Sequence, residues 1–205
     1  MRNKRGILCM TLGLLLVLAS LGLTGYNIWD ESRAGDAAEE RFEELLSYTT
    51  EAKEELPDYA LPDYVVDPRI DMPTVEIDGY DYIGYLAIPE LELDLPVMSS
   101  WSYPRMKIAP CRYAGSAYLD NMVIAAHNYD RHFGRLKDLE MGSPICFTDV
   151  DGNEFHYTVI ALEQLRPNQV ADMVTGEWDL TLFTCTRGGQ QRVTVRCERV
   201  EETAG

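Results

Sequence analysis

The sequence predicts a mainly β protein: a closed eight-stranded barrel with one or two short helices, preceded by an N-terminal transmembrane helix and an acidic helical linker. Three observations carry this expectation. From Ile77 onward the chain falls into about eight short runs rich in β-branched and aromatic residues, punctuated by Pro, Gly and Asp-Gly-Asn. Near the N-terminus, residues 6–29 contain no charge. Between the two lies a Glu-rich stretch with apolar residues at helical spacing. The resulting division is 1–30 for a cytoplasmic tip and anchor, 31–76 for the acidic helix and Pro-rich linker, and 77–205 for an extracellular barrel.

The apolar run comes first. Ile7–Tyr26 is mostly Leu, Val, Ile, Ala and Gly, and ~20 such residues at ~1.5 Å each span a ~30 Å hydrocarbon core. Arg2, Lys4 and Arg5 precede it, and Asp30 and Glu31 follow. That asymmetry predicts a cytoplasmic N-terminus with the remainder outside. A cleaved signal peptide is the competing reading, but its apolar core would be only ~7–15 residues long, and Gly22-Leu23-Thr24-Gly25 is a weak cleavage site. An uncleaved signal anchor is expected.

Asp36–Leu56 then reads as a helix with a narrow stripe of Phe42, Leu45, Leu46 and Thr49 between Glu-rich flanks. Pro57, Pro62, Pro68 and Pro73 break regular structure after it. The segment reads as a semi-extended connector, with packing of the stripe on the domain as the alternative. In the barrel, strands are expected at Tyr82–Ile88, Leu93–Val97, Asn121–Ala126, Pro144–Asp149, Glu154–Leu165, Trp178–Thr184 and Gln191–Val200. His132–Leu139 reads as a single short helix stopped by Met141-Gly142, and Asp151-Gly152-Asn153 as a hairpin turn.

The net charge is −16, with 13 acids against 4 bases in residues 31–73 alone. No basic patch could dominate a polyanion interface, so nucleic-acid binding is disfavoured. Five cysteines are present: Cys9 in the apolar run, and Cys111, Cys146, Cys185 and Cys197 beyond it. Four extracellular cysteines permit two disulfides. A working thiol at Cys185 would leave at most one, and Cys111, Cys146 and Cys197 read equally well as small buried apolar residues. The cysteines and histidines show no zinc-finger spacing, so neither a metal nor any other cofactor is expected.

Thr181-Leu182-Phe183-Thr184-Cys185 ends one strand, and Arg192 opens the next after Gly188-Gly189. A cysteine nucleophile needs a cation to favour its thiolate, a histidine to protonate the leaving amine, and a donor for the oxyanion. Among three histidines, His127 follows a buried-type strand and so stands at a rim. His132, in the short helix, and His156, in mid-strand, read as exposed. Arg187, Arg192 and Arg196 are all near the cysteine; Arg192 and Arg196 share a strand face with Thr194, and Arg192 lies nearer the end that pairs back to Cys185.

Thr-Leu-Phe-Thr-Cys at 181–185, with an arginine soon after it and Val-Thr-Val beyond, resembles the signature of the sortases. Ala125-Ala126-His127-Asn128 is similar to their catalytic-histidine strand end, and Ile83-Gly84-Tyr85-Leu86-Ala87-Ile88-Pro89 to the start of their barrel. The likeness runs from about residue 78 to 200. It implies a membrane-anchored cysteine transpeptidase on a Gram-positive-type cell surface. Cys185 would attack the threonine carbonyl of a C-terminal sorting signal, His127 would protonate the departing amine, and Arg192 would bind the oxyanion. Thr184 and Asn128 would help hold substrate. The implied partners are surface proteins or pilins bearing the signal and an amine of a cell-wall precursor or pilin lysine. The seven-residue step from Cys185 to Arg192 is shorter than in many sortases. Pilin-type members often carry a lid with Asp-Pro-aromatic, but here Asp67-Pro68 is followed by Arg69, so no such plug is expected. Arg166–Glu177 would border the groove, while Trp101, Tyr103 and Tyr129 read by default as aromatic core packing, with lining of that groove as the alternative. A catalytically silent surface scaffold and a plain cysteine endopeptidase are the alternatives.

Overall fold

In the computed structural model, residues 2–55, 61–186 and 188–200 are described. Among the described residues nine strands form one sheet: β1 (Val75–Ile77), β2 (Tyr80–Ile88), β3 (Leu93–Met98), β4 (Cys111–Ala114), β5 (Met122–Ala125), β6 (Pro144–Asp149), β7 (Glu154–Leu165), β8 (Leu180–Cys185) and β9 (Arg192–Arg199). Their order is β1-β2-β3-β4-β5-β8-β9-β7-β6, and β6 pairs back to β2. The eight strands β2 to β9 therefore close into a barrel, with β1 appended as a hairpin arm on β2. Closure leaves no exposed edge among these eight strands.

Alternation explains the barrel. Leu86 and Ile88 of β2, Phe147 of β6, Leu180 and Leu182 of β8, and Val195 and Cys197 of β9 all enter one buried cluster, as side chains two apart share a face. Gly84 lies where the β2–β3 register shifts. A Cβ there would stand 2.0 Å from the Thr148 carbonyl, so only glycine lets β6 close on β2. Asp151-Gly152-Asn153 turns as expected: Asp149 accepts from the Asp151 and Asn153 amides at 3.0 and 2.9 Å, and Gly152 has φ +83°.

The helical expectations are partly revised. The His132–Leu139 helix does not form; only a 3-10 turn at Leu136–Asp138 is present. The Gly134 and His132 amides instead fold back onto the Tyr129 carbonyl, both at 2.9 Å, and His132 and Phe133 are buried, so tertiary burial overrides local propensity. Strands β1 and β4 went unpredicted, being only three and four residues long. Helices α2 (Asp63–Val66), α3 (Tyr103–Met106) and α4 (Val170–Val174) are single turns.

Helix α1 runs from Arg2 to Glu55, and the chain divides into the units Met1–Arg33 and Ala34–Gly205. The first unit carries the apolar segment, long and apolar enough to cross a membrane. In the second, the helical stretch packs on the barrel instead of standing off as a connector. Ala34, Ala38, Leu45 and Thr49 are buried, Phe42 meets Tyr85 edge-on at 5.3 Å, and Leu45 joins Val75, Ile77 and Tyr82. Leu46, counted in the expected stripe, is 39% exposed. Ion pairs tie the flanks down: Arg131 to Asp36 and Glu39, Arg41 to Asp78, and Lys53 to Glu154. Leu56 and Pro57 of the expected helix end and linker lie outside the described residues.

Candidate active site

Three adjacent strands bring the predicted residues to one end of the barrel. Strand β5 runs parallel to β8 with Ala125 opposite Phe183, so His127 and Cys185 each stand two residues past that pair. Strand β9 is antiparallel to β8, and Arg192 lies directly opposite Cys185. Directly opposed residues point to the same side of a sheet, and so do residues two apart. Val123 and Ala125, Phe183 and Cys185, and Arg192 and Thr194 therefore share the outer face, while Leu182 and Val195 face the core.

That face is the floor of a cavity of about 190 Å³, lined by His127, Cys185, Arg192, Thr184, Ala126 and a rim of apolar side chains. Trp101 and Tyr103 belong to the rim, with Trp101 tilted on Tyr113 at 5.0 Å and Tyr113 edge-on to Phe183 at 5.2 Å. Pro167, Val170 and Met173 from the β7–β8 connection supply the opposite wall. No residue of 61–73 lines it among those described. The Asp67–Arg69 ion pair is exposed, while Tyr64 of that segment stacks on Tyr118 at 4.5 Å, in the 3-10 turn that leads into β5 and thus toward the far end of the barrel.

Each side chain has a distinct setting. Cys185 is a half-buried thiol, and none of the five cysteines is in a disulfide. Cys197 faces the barrel core and Cys111 the cluster around Tyr82; burial pushes both thiols up to about 12. His127 is half-buried. Its Nδ1 accepts from the Asn128 amide at 3.1 Å and lies 3.0 Å from Asn128 Oδ1. A neutral ring uses the first contact and carries its proton on Nε2; an imidazolium donates through Nδ1 to the second. Asn128 thus serves both protonation states of the ring, and it is not among the residues lining the cavity. Tyr129 stacks on the ring at 4.3 Å, almost parallel at 9°, so it packs the histidine in place of bordering the groove.

Thr184 is buried, and its hydroxyl donates to the Ala126 carbonyl at 2.9 Å. It ties β8 to the turn that carries His127. Arg192 donates from one terminal nitrogen to the Gly189 and Gln191 carbonyls, both at 3.3 Å, which anchors it over the β8–β9 turn. Arg187 lies outside the described residues. Arg196 is buried, and its guanidinium is bound by Glu163, Thr181, Met173 and Asp172. It holds the β7–β8 connection rather than entering the cavity. His132, expected on the surface, is fully buried beside Tyr129, and desolvation lowers its pKa to about 4.

Sequence reasoning missed the clamping role of Arg196. Its alternation with Arg192 and Thr194 was visible, but the loop that covers it was not.

A family model described as the sortase domain matches residues 86–200. Sortase A of Bacillus anthracis is 26% identical over an alignment of 131 residues that covers 57% of this chain and 61% of that relative's length. Among solved structures, sortase C from Clostridium perfringens SM101 superposes with a TM-score of 0.52 at 21% identity, covering 79% of this chain and 90% of that one. Sortase C1 of GBS pilus island 1 gives 0.54 at 22%, with 81% and 84% covered. Sortase A from Corynebacterium diphtheriae gives 0.53 at 19%, with 80% and 84% covered. With the barrel order, the 181–185 strand end and a domain match across more than half its length in agreement, this chain belongs to the sortase family.

Proposed function

We propose that this protein is a membrane-anchored cysteine transpeptidase that cleaves a C-terminal sorting signal after its threonine and transfers the product to an amine. The observation that carries the reading is the convergence of His127, Cys185 and Arg192, from three neighbouring strands, on one apolar cavity. The Cys185 thiolate adds to the threonine carbonyl. The resulting oxyanion accepts hydrogen bonds from Arg192, whose five N–H donors exceed what the two turn carbonyls take. The imidazolium of His127 gives its proton to the departing amine, leaving a thioester on Sγ and a neutral ring. An incoming amine then adds to the thioester, loses a proton to His127 and expels the thiolate. Proton transfer of this kind is worth ~10²–10⁴-fold and an oxyanion donor ~2.7–4 kcal/mol.

The apolar rim suits a hydrophobic side chain upstream of the scissile bond. Two relatives support the substrate class: one solved structure is of Clostridium perfringens sortase C with the C-terminal cell wall sorting motif, and another is of a pilus-island sortase. The acceptor is an amine of a cell-wall precursor or a pilin lysine. Arg2, Lys4 and Arg5 before the apolar run favour a cytoplasmic N-terminus, with residues 34–205 outside.

The test is incubation of the full-length protein with sorting-signal peptides and an amine nucleophile. Ligated product is expected from the wild type and is lost in Cys185→Ala. Undiminished ligation in that variant overturns the mechanism, and a hydrolysis product alone, whatever the amine concentration, turns the reading to an endopeptidase.

A further inference from the structure

The β6–β7 hairpin carries a second cluster of chemically capable side chains, at the other end of the barrel. Cys146 on β6 lies directly opposite His156 on β7. Glu154 stands two residues before His156 and so shares its face. One ligand atom from each of the three falls within 4.8 Å of the others. His156 is nine residues from Leu165, the partner of Arg192, which at ~3.3 Å per residue puts the cluster ~30 Å along the strand from the active-site end.

From this juxtaposition we propose that Cys146, Glu154 and His156 bind one divalent ion of the zinc class. The donor set decides the kind of metal. A thiolate and an imidazole with a single carboxylate suit zinc and its neighbours, whereas calcium and magnesium require oxygen ligands. The spacing fits as well. His156 Nε2 and Glu154 Oε2 are 3.5 Å apart, close to the ~3.3 Å edge of a tetrahedron with ~2.0–2.1 Å metal–ligand bonds. All three stand on paired strands; Cys146 and His156 are half-buried while Glu154 is exposed, so the carboxylate closes the site from the solvent side. An open depression lined by Lys53, Asp120, Glu154, His156 and Arg199 adjoins the cluster, giving an entry path and room for a water as fourth ligand.

Lys53 is the evident competitor, since its ammonium is 2.9 Å from Glu154 Oε1. It binds the oxygen other than the one facing His156, however. A carboxylate can hold a metal through one oxygen while an outer partner orients it through the other. Lys53 lies on α1, so metal binding would also fix the hairpin against the end of that helix. The ion enters as its aqua cation and the Cys146 thiol releases one proton; no redox change is involved.

The experiment is a cobalt(II) titration of the full-length protein in detergent after chelator treatment, followed by zinc displacement. A thiolate-to-cobalt charge-transfer band with tetrahedral ligand-field absorption is expected at one ion per chain. It should disappear in Cys146→Ser and persist in Cys185→Ala, and zinc affinity should fall at least ~10-fold in His156→Ala, since losing even an outer partner costs that much. Zinc should also slow alkylation of Cys146 in the unmodified protein, a readout independent of whether any variant folds. Absence of the band, a band that follows Cys185 instead of Cys146, or Cys146 alkylation indifferent to saturating zinc would each overturn the site.

Discussion

Arg196→Met tests whether a buried guanidinium holds the wall of the active-site cavity. Arg196 is 2% exposed, and it donates to Glu163 Oε2 at 3.1 Å, Thr181 Oγ1 at 3.1 Å, the Met173 carbonyl at 3.3 Å and the Asp172 carbonyl. It also lies 5.8 Å from the Trp178 ring. The β7–β8 connection, which supplies Pro167, Val170 and Met173 to the cavity, is therefore pinned from beneath by one side chain. Methionine keeps most of the apolar stem and removes the donors. Hydrogen bonds to a charged group are worth ~1.5–3 kcal/mol each, but the variant no longer desolvates a cation, and the half-exposed Glu163 regains water. What remains is the cost of two carbonyls and a hydroxyl left without their donor, about 3 kcal/mol in all. At ~2–4 °C per kcal/mol for a chain of this size, Tm should fall by ~6–12 °C. Amide exchange should accelerate more in residues 170–178 than in β5 or β9, and KM for a sorting-signal peptide should rise more than kcat falls. A Tm within ~2 °C of wild type with unchanged exchange in α4 would refute the clamp.

Cysteine reactivity should separate sharply in the native protein. Burial pushes the Cys111 and Cys197 thiols to about 12, so at mildly alkaline pH both are almost entirely protonated as well as inaccessible, and Cys185 at the cavity should alkylate first. Mass spectrometry after a short iodoacetamide pulse checks this, and native Cys197 labelling as fast as Cys185 would contradict it. His132 makes the fold acid-sensitive. Its folded pKa of about 4 lies below the ordinary ~6.5, so the unfolded chain takes up the proton first as pH falls. The stabilisation is fully present above ~6.5 and is lost progressively down to about 4, by roughly 3 kcal/mol. Denaturant titrations at pH 7 and 4.5 should show that loss in the wild type and a smaller one in His132→Phe; identical slopes in both would exclude His132 as the cause.

The 181–185 strand end, the alternation of the barrel runs and the charge-free segment are local patterns, and each is legible in the sequence alone. Seven strands fall within a few residues of their expected bounds, most through a side-chain period of two and Met122–Ala125 as a short unbroken apolar run of the kind buried on both faces. The resemblance at Cys185, His127 and Arg192 rested on those same strand ends. What could not be read there depends on partners distant along the chain. His132 looks like a surface residue of a helix until α1 and Tyr129 bury it. Arg196 looks like a second candidate beside Arg192 until the β7–β8 connection folds over it. Cys146 and His156, ten residues apart, match no metal-binding spacing, because pairing of β6 with β7 is what sets them side by side. Sequence determined which segments alternate and where they end, since backbone stereochemistry repeats every two residues. Only closure of the sheet decided which of those ends meet, because strand pairing and burial are set by the whole barrel.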